Sequence, residues 1–449
     1  MKKFLFLIIL AATILCCAVP AFADEITDGV SIDNIPEDWP VPPVPQSGSV
    51  LVVEANTGAV LYSQNIDTQR YPASTTKLMT CLIALEKCSM NEIVTFSETA
   101  CDIEEGSSNI GAVAGEQMTM RDVLYGLMVA SGNECANALA EHIAGSIEAF
   151  ADMMNARAEE LGCTGTHFTN PHGLYDKNHY TTVHDMYRIA RAAFNNSALV
   201  EILSHANYTI EPTNMNPDER RITSTVELIV PNSDYYNEYV IGGKTGYLPE
   251  AGRCLVSFAK KDSMDIITIV FFCADHEGVF TDTQMMLDYV FSNFSIKNIS
   301  ESESRFVFAE ETANVVLDSS AQLLVPNNVP FEKMRSKITF AYDLDIDQFN
   351  KAKEEAGIFT QDGRHLFAMV DYYVGDYRLG SVNVLIDDNL QVSEASFINM
   401  YYINIWPVLG VVAVIVIVFI ILTMSKKRKV RKRVAATGDR HKVPPRREQ

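Results

Sequence analysis

Two long uncharged apolar runs, residues 4–23 and 403–424, stand near opposite ends of the chain and confine any water-facing fold to what lies between them. The first follows Lys2 and Lys3, is apolar from Phe4 to Val19 except for Thr13, and closes on Ala21-Phe22-Ala23 before Asp24. A charged start, an apolar stretch and a small-x-small triplet read as a secretory signal peptide over 1–23. Cys16 and Cys17 follow Leu15 and Cys16, where lipid attachment wants a small residue, so a lipoprotein is not indicated. The second run is 22 residues long. As a helix it would measure about 33 Å, enough for a hydrocarbon core of about 30 Å. Tyr401, Tyr402 and Trp406 stand at its edge, and Lys426-Lys427-Arg428-Lys429 follows it. The expectation is one transmembrane helix over 403–424 with the basic tail 425–449 in the cytoplasm.

About 380 residues remain between the ends, which at roughly 150 per domain suggests two domains. Of the net charge of −21, the tail contributes +9 and the two N-terminal lysines +2, so the middle carries −32. Such a surface repels phosphate backbones, and no nucleic-acid partner is expected. Seven of the nine cysteines lie beyond the signal segment, an odd number that cannot all pair within one chain. Buried free thiols are the expectation, with Cys81–Cys88 or Cys88–Cys101 as the alternative bridges. The mature part has no CxxC, so no zinc knuckle is indicated.

Residues 24–46 hold five prolines and read as an extended linker. Val50-Leu51-Val52-Val53, Asn56-Thr57-Gly58 and Ala59-Val60-Leu61-Tyr62 read strand, turn, strand. Helical periodicity follows at 77–88, 119–130, 134–144, 147–161 and 183–194. Strand patterns return at 238–242, 253–259 and 265–273, and 279–293 is helical again. A helical middle bracketed by strands packs most economically as one antiparallel sheet carrying helices, an α+β fold over 47–295. Short alternating runs at 305–309, 313–317, 336–341, 366–374 and 380–386 suggest a small, mostly β domain over 296–395.

The sharpest chemical signal is Pro72-Ala73-Ser74-Thr75-Thr76-Lys77, ahead of a run from Leu78 to Leu85 that is nearly apolar all round. Such a helix is buried. Ser74 and Lys77, three residues apart, share one face of it. A lysine there is costly to desolvate as a cation, so its pKa should fall, leaving an amine able to take the serine proton. Read alone, the same residues also suit a plain N-cap and a surface lysine. Ser131-Gly132-Asn133 falls at a helix-to-helix junction, where a hydroxyl and an amide can relay protons and hold a carbonyl, or simply cap a helix. Gly242-Gly243-Lys244-Thr245-Gly246 extends Tyr239-Val240-Ile241; its glycines let a ligand lie along a strand edge, and Lys244 and Thr245 offer a cation and a hydroxyl. It is not a phosphate loop, because Glu238 stands where that motif needs glycine.

In this order the three segments resemble the S-x-x-K, S-x-N and K-T-G set of the penicillin-binding and serine β-lactamase superfamily. Leu124-Tyr125-Gly126-Leu127-Met128, Phe168-Thr169-Asn170-Pro171-His172-Gly173-Leu174 and His179-Tyr180-Thr181-Thr182 with Asp185 narrow the likeness to its D-alanyl-D-alanine carboxypeptidases. The resemblance covers about residues 47–295. It implies a β-lactamase/transpeptidase-like fold and a peptidase acting on peptidoglycan stem peptides, acylated by β-lactams, with no metal or cofactor. Ser74 would be the nucleophile and Lys77 its base. Ser131 and Asn133 would relay protons and orient the peptide, and Lys244 and Thr245 would bind the terminal carboxylate. Substrate contacts would extend along Gly246 and Tyr247, with the N–H groups of Ser74 and Tyr247 as the oxyanion hole. Some relatives carry an arginine just after the last core strand to help hold the carboxylate; residues 274–290 contain none.

Two other readings compete. A class A β-lactamase needs a glutamate in an E-x-x-L-N setting, and the nearest run, Glu159-Glu160-Leu161-Gly162, lacks the asparagine. A membrane-bound wall-peptide sensor would want more cytoplasmic mass than 425–449. His172 is expected to serve structure rather than catalysis.

Overall fold

A computed structural model describes residues 35–36, 38–300, 315–318, 321–340 and 364–387. The signal segment, the apolar run 403–424 and the basic tail lie outside these residues. Among the described residues, no helix is long and apolar enough to cross a membrane.

The early branched run forms β1 (Ser49–Glu54) and β2 (Val60–Gln64). Their turn is closed by buried Glu54, whose carboxylate accepts from the N–H and hydroxyl of Thr57, each at 2.7 Å. Next come α1 (Lys77–Lys87), β3 (Ile93–Thr95), α2 (Glu98–Cys101), β4 (Gln117–Thr119), α3 (Met120–Met128), α4 (Asn133–Ala144), α5 (Ile147–Glu160), α6 (Val183–Phe194) and α7 (Ser197–Leu203). The small pair β5 (Asn207–Ile210) and β6 (Arg220–Thr223) precedes β7 (Val240–Leu248), β8 (Gly252–Lys261), β9 (Met264–Cys273) and α8 (His276–Asn293). Side-chain oxygens start several helices: Thr119, Ser146 and Thr182 accept from Asp122, Ala149 and Asp185 N–H. Each such cap stabilises by about 1 kcal/mol.

The expected antiparallel sheet is present, in the order β2-β1-β9-β8-β7. Leu51 faces Ile269 across β1 and β9, and Ile269 faces Val256 across β9 and β8. Every residue of β1 is buried, so both faces of the sheet are covered there. Helix α6 packs on β1 and β9, and α8 on β8 and β9. Helix α1 is buried from Lys77 to Ala84, as its all-round apolar pattern predicts, and packs among α3, α4, α5 and α6.

Residues 38–48 have no helix or strand, in keeping with their prolines, but from Trp39 the chain is fastened down. The Trp39 indole N–H donates to the Tyr289 hydroxyl at 2.9 Å, and the Ser47 N–H and hydroxyl donate to Asp282 at 2.9 and 2.5 Å. All seven mature cysteines are free; Cys81, Cys135, Cys254 and Cys273 are buried.

Beyond α8 come β10 (Phe294–Asn298), β11 (Val315–Leu317), β12 (Gln322–Pro326), β13 (Arg335–Phe340), β14 (Arg364–Val374) and β15 (Tyr377–Asp387). Strand β10 pairs with β12, and a four-stranded sheet runs β11-β15-β14-β13. Four of these strands fall where alternation put them; the expected run 305–309 lies outside the described residues. The chain divides into two compact units. Of the described residues, the larger unit takes 35–36, 38–300, 321–339 and 370–382, and the smaller takes 315–318, 340, 364–369 and 383–387.

Candidate active site

Ser74 lies in a single tight turn, Ala73–Thr76, that runs straight into α1. The turn is held by Thr75, whose hydroxyl donates to the Pro72 carbonyl at 2.7 Å. Ala73 adopts φ +49°, a left-handed conformation that costs a non-glycine residue on the order of 1 kcal/mol or more. At the open end of the turn, the Ser74 N–H has no intrahelical acceptor.

Lys77 is completely buried. Its Nζ lies 3.0 Å from Ser74 Oγ and donates to Asn133 Oδ1 and to the His172 carbonyl, each at 2.7 Å. Burial, and after it the neighbouring Lys244 cation, hold this amine well below the ordinary lysine range; Cys135 and Glu134 pull weakly the other way. The expected pairing of serine and lysine on one helical face is therefore present, with Asn133 joined to it.

Ser131 and Asn133 occupy the junction between α3 and α4. Ser131 takes φ +63°, and both residues are buried. The Asn133 N–H donates to the Ser108 carbonyl at 2.9 Å. Glu134, next in sequence, is buried and accepts from the Ile110 N–H at 2.7 Å, pinning the loop that carries Ser108; burial raises its carboxyl pKa.

On the other side stands β7. A Cβ at Gly246 would lie 2.9 Å from Ser74 N, so only glycine lets the strand come this close. Thr245 Oγ1 shares a 2.5 Å hydrogen bond with Thr225 Oγ1. Lys244 is fully buried and donates to the Thr245 carbonyl at 2.9 Å; burial brings its pKa down to about 7. Tyr247 is half exposed, under the Arg253 guanidinium at 3.9 Å.

The base of the site is the loop from Cys163 to Thr182. Asp185 ties it to α6 by accepting from the Gly165 N–H and the Thr166 hydroxyl, each at 2.7 Å. Asn170 accepts from the Gly173 N–H at 2.7 Å, which turns the His172 carbonyl toward Lys77. Gly173, at φ +89°, lies so close to the Ala73–Thr76 turn that a Cβ would fall 1.9 Å from the Ala73 carbonyl oxygen. His179 Nδ1 accepts from the Thr169 N–H at 3.0 Å, and its Nε2 pairs with Thr76 Oγ1 at 2.9 Å. Burial lowers both His172 and His179 to about 3, so both are neutral. His172 serves structure through its carbonyl, which accepts from Lys77, and through Nδ1, which accepts from the Leu174 N–H at 3.1 Å.

These elements enclose a cleft of about 550 Å³, lined by Ser74, Ser131, Asn133, Thr245, Gly246 and Tyr247 among others. Lys244 is not part of its wall and acts on it from behind Thr245. The cation that lines the wall is Arg253, on β8 opposite Tyr247 in register. A search for arginine after the last core strand passes over it, because it lies before that strand. Thr225 and Glu134 also escaped the sequence reading. Thr225 is contributed by a segment without periodicity, and Glu134 looks like any acidic residue in a helix's first turn.

An antiparallel sheet carrying helices, with serine and lysine paired at the head of the central buried helix, is the transpeptidase-like architecture. Residues 39–274 match the D-alanyl-D-alanine carboxypeptidase family. The chain is 33% identical over 302 residues to D-alanyl-D-alanine carboxypeptidase DacF of Bacillus subtilis, covering 66% of this chain and 72% of that protein. Among solved structures, the Streptomyces K15 DD-transpeptidase aligns with TM-score 0.52 at 29% identity, covering 56% of this chain and 99% of that one. The Mycobacterium tuberculosis D-alanyl-D-alanine carboxypeptidase aligns with TM-score 0.53 at 28% identity, covering 58% and 96%. The chain belongs to the D-alanyl-D-alanine carboxypeptidase family.

Proposed function

We propose that this protein is a serine-type D-alanyl-D-alanine carboxypeptidase, which removes the terminal D-alanine of peptidoglycan stem peptides through an acyl-enzyme on Ser74. The observation that carries this reading is the setting of Lys77 Nζ. A neutral amine has two N–H groups and one lone pair. Asn133 Oδ1 and the His172 carbonyl can only accept, and both are 2.7 Å away. They occupy the two N–H groups, and the lone pair is left facing Ser74 Oγ at 3.0 Å.

In the forward step the Ser74 proton passes to Lys77, Oγ bonds to the penultimate D-alanine carbonyl carbon, and the oxygen charge falls on the N–H groups of Ser74 and Tyr247. The C–N bond then breaks as the proton passes, with Ser131 as relay, to the departing D-alanine nitrogen. Lys77 is again neutral and takes a proton from the water that releases the acyl group. Thr245 contacts the substrate carboxylate, with the Lys244 charge behind it and Arg253 across the cleft. Gly246 and Tyr247 line the bound peptide. A β-lactam acylates Ser74 by the same first step.

The β-lactamase alternative is disfavoured. Glu160 at the end of α5 pairs with Arg157 at 2.9 Å, and neither Glu159 nor Glu160 lines the cleft. The apolar run 403–424 and the basic tail support a single-span membrane protein with its catalytic part outside the cytoplasm.

Intact mass after incubation with penicillin should show one adduct, absent in Ser74→Ala, and a D-Ala-D-Ala pentapeptide should lose one alanine. An adduct without peptide turnover would favour the sensor, and rapid release of hydrolysed penicillin the β-lactamase. Membrane fractionation of the full chain and of a chain ending at Ala395 tests the anchor; a shortened chain that stays in the membrane fraction refutes it.

A further inference from the structure

Cys88 and Glu92, four residues apart, meet the distant His142 on the surface away from the cleft. One ligand atom from each, a sulfur, a carboxylate oxygen and an imidazole nitrogen, falls within 4.8 Å of the others. From this convergence we propose that the three residues form a binding site for a divalent cation of borderline softness, with zinc(II) the best match.

The backbone presents all three. Cys88 is the C-cap of α1, in an extended conformation, with its N–H held by the Ala84 carbonyl at 2.9 Å. Glu92 directly precedes β3, and its carbonyl accepts from the Met120 N–H at 2.7 Å. His142 is in the last turn of α4. One carboxylate oxygen of Glu92 is already occupied by the Ser89 N–H at 2.6 Å, which orients the other toward His142 Nε2, 3.0 Å away. An outer hydrogen bond that aims a ligand in this way is usual around metal sites.

The donor set decides the cation. Calcium and magnesium take oxygen ligands, whereas a thiolate with an imidazole and a carboxylate suits zinc. Zinc bonds of about 2.3 Å to sulfur and about 2.0–2.2 Å to nitrogen and oxygen place tetrahedral ligand atoms about 3.3–3.7 Å apart. Small side-chain rotations achieve this, since the His142 and Glu92 side chains are 27% and 40% exposed. Water fills the fourth position. On binding, the Cys88 thiol gives its proton to solvent, and the Nε2 proton of His142 that now bonds Glu92 leaves through solvent, so that the ring carries its one proton on Nδ1 and offers the Nε2 lone pair to the metal.

The bound cation would tie the C-terminal end of α1 to the C-terminal end of α4. The opposite ends of these two helices carry Lys77 and Asn133. The site is thus a clamp on the helix pair that frames the cleft, and it does not depend on what the cleft hydrolyses.

Cobalt(II) serves as a spectroscopic stand-in for zinc, added to the full-length protein with its thiols reduced by a phosphine. One equivalent should give a thiolate-to-cobalt charge-transfer band, displaced by stoichiometric zinc(II). The band should be lost in Cys88→Ser and weakened in His142→Ala and in the conservative Glu92→Gln. Zinc at about 100 times its dissociation constant should raise the folded-to-unfolded ratio about 100-fold, an increase missing in Cys88→Ser and reduced in Glu92→Gln. Circular dichroism confirms that each variant is folded. Absence of the band in wild type overturns the proposal. So does a band that survives in Cys88→Ser, which would place the metal on another cysteine.

Discussion

Replacing Lys77 by Met removes the amine while keeping an unbranched chain of similar length in the buried slot. At pH 7 an ordinary lysine, with pKa about 10.4, is neutral in only about one molecule in 2,500. Burial and the Lys244 cation push Lys77 toward the neutral form, recovering much of that factor. Loss of a positioned general base typically costs 10²–10⁴-fold, and that is the expected drop in the rate at which a fluorescent penicillin acylates Ser74. Lys77→Arg should lose as much, because a guanidinium does not give up its proton. The sign of the pH effect follows from the base being the neutral form. Wild-type acylation falls as pH drops through the Lys77 pKa, and this acid limb lies well below about 10.4. Lys77→Met should have no such limb. Second-order acylation rates across pH, with melting temperatures measured in parallel, provide the test. A folded Lys77→Met protein that acylates within a few-fold of wild type would refute the assignment, as would a wild-type limb near the free-lysine value.

Gly173→Ala should displace the nucleophile turn, because its Cβ would meet the Ala73 carbonyl oxygen at 1.9 Å; penicillin adduct yield should collapse, and a normal yield would mean that the loop yields instead. His179 is held neutral with a pKa of about 3, so between about 6.5 and about 3 the unfolded chain binds more protons and stability falls as pH falls. His179→Gln should flatten the urea-derived stability curve in that window, and an unchanged slope would count against the buried neutral histidine. Arg253→Ala should raise KM about tenfold for carboxylate-ended peptides and less for an ester lacking the carboxylate, whereas equal effects would make Arg253 a mere support for Tyr247.

What could be read from the sequence was whatever leaves a periodic or motif trace. Helix α1 was visible because nothing polar interrupts Leu78 to Leu85, and β1, β8 and β9 because branched residues cluster there. The short pairs β3–β4 and β5–β6 were missed, since strands of three or four residues carry too few alternations to register. The strand pattern at 238–242 stops short of the full β7 because the glycines and lysine that follow lack strand propensity; pairing with β8 imposes the strand. Within the site, Ser74, Ser131, Asn133 and Thr245 all line one cleft, with Lys77 buried against Ser74. The burial of Lys244, the metal-ligand trio and the part played by the His172 carbonyl are three-dimensional coincidences that no local pattern encodes.

The two lysines set up the last test. Lys244 is lowered by burial alone, to about 7, whereas Lys77 is lowered by burial and by the charge on Lys244. Below pH 7, Lys244 is mostly a cation, and that charge helps keep Lys77 neutral. Above it, Lys244 loses the charge that would steady a substrate carboxylate. Peptide turnover should therefore lose its carboxylate-binding charge as pH rises through about 7 and its base as pH falls through the lowered Lys77 pKa. Lys244→Met should erase the first of these pH effects and move the second to higher pH, because Lys77 has lost the neighbour that lowered it. If that coupling is the main role of Lys244 in acylation, its removal costs little once Lys77 is gone. A double-mutant cycle on penicillin acylation should then be strongly non-additive, with the Lys77→Met, Lys244→Met protein close to Lys77→Met alone. Independent, multiplicative losses would show that Lys244 contacts the reacting group directly, and the charge coupling between the strand and the nucleophile helix would have to be abandoned.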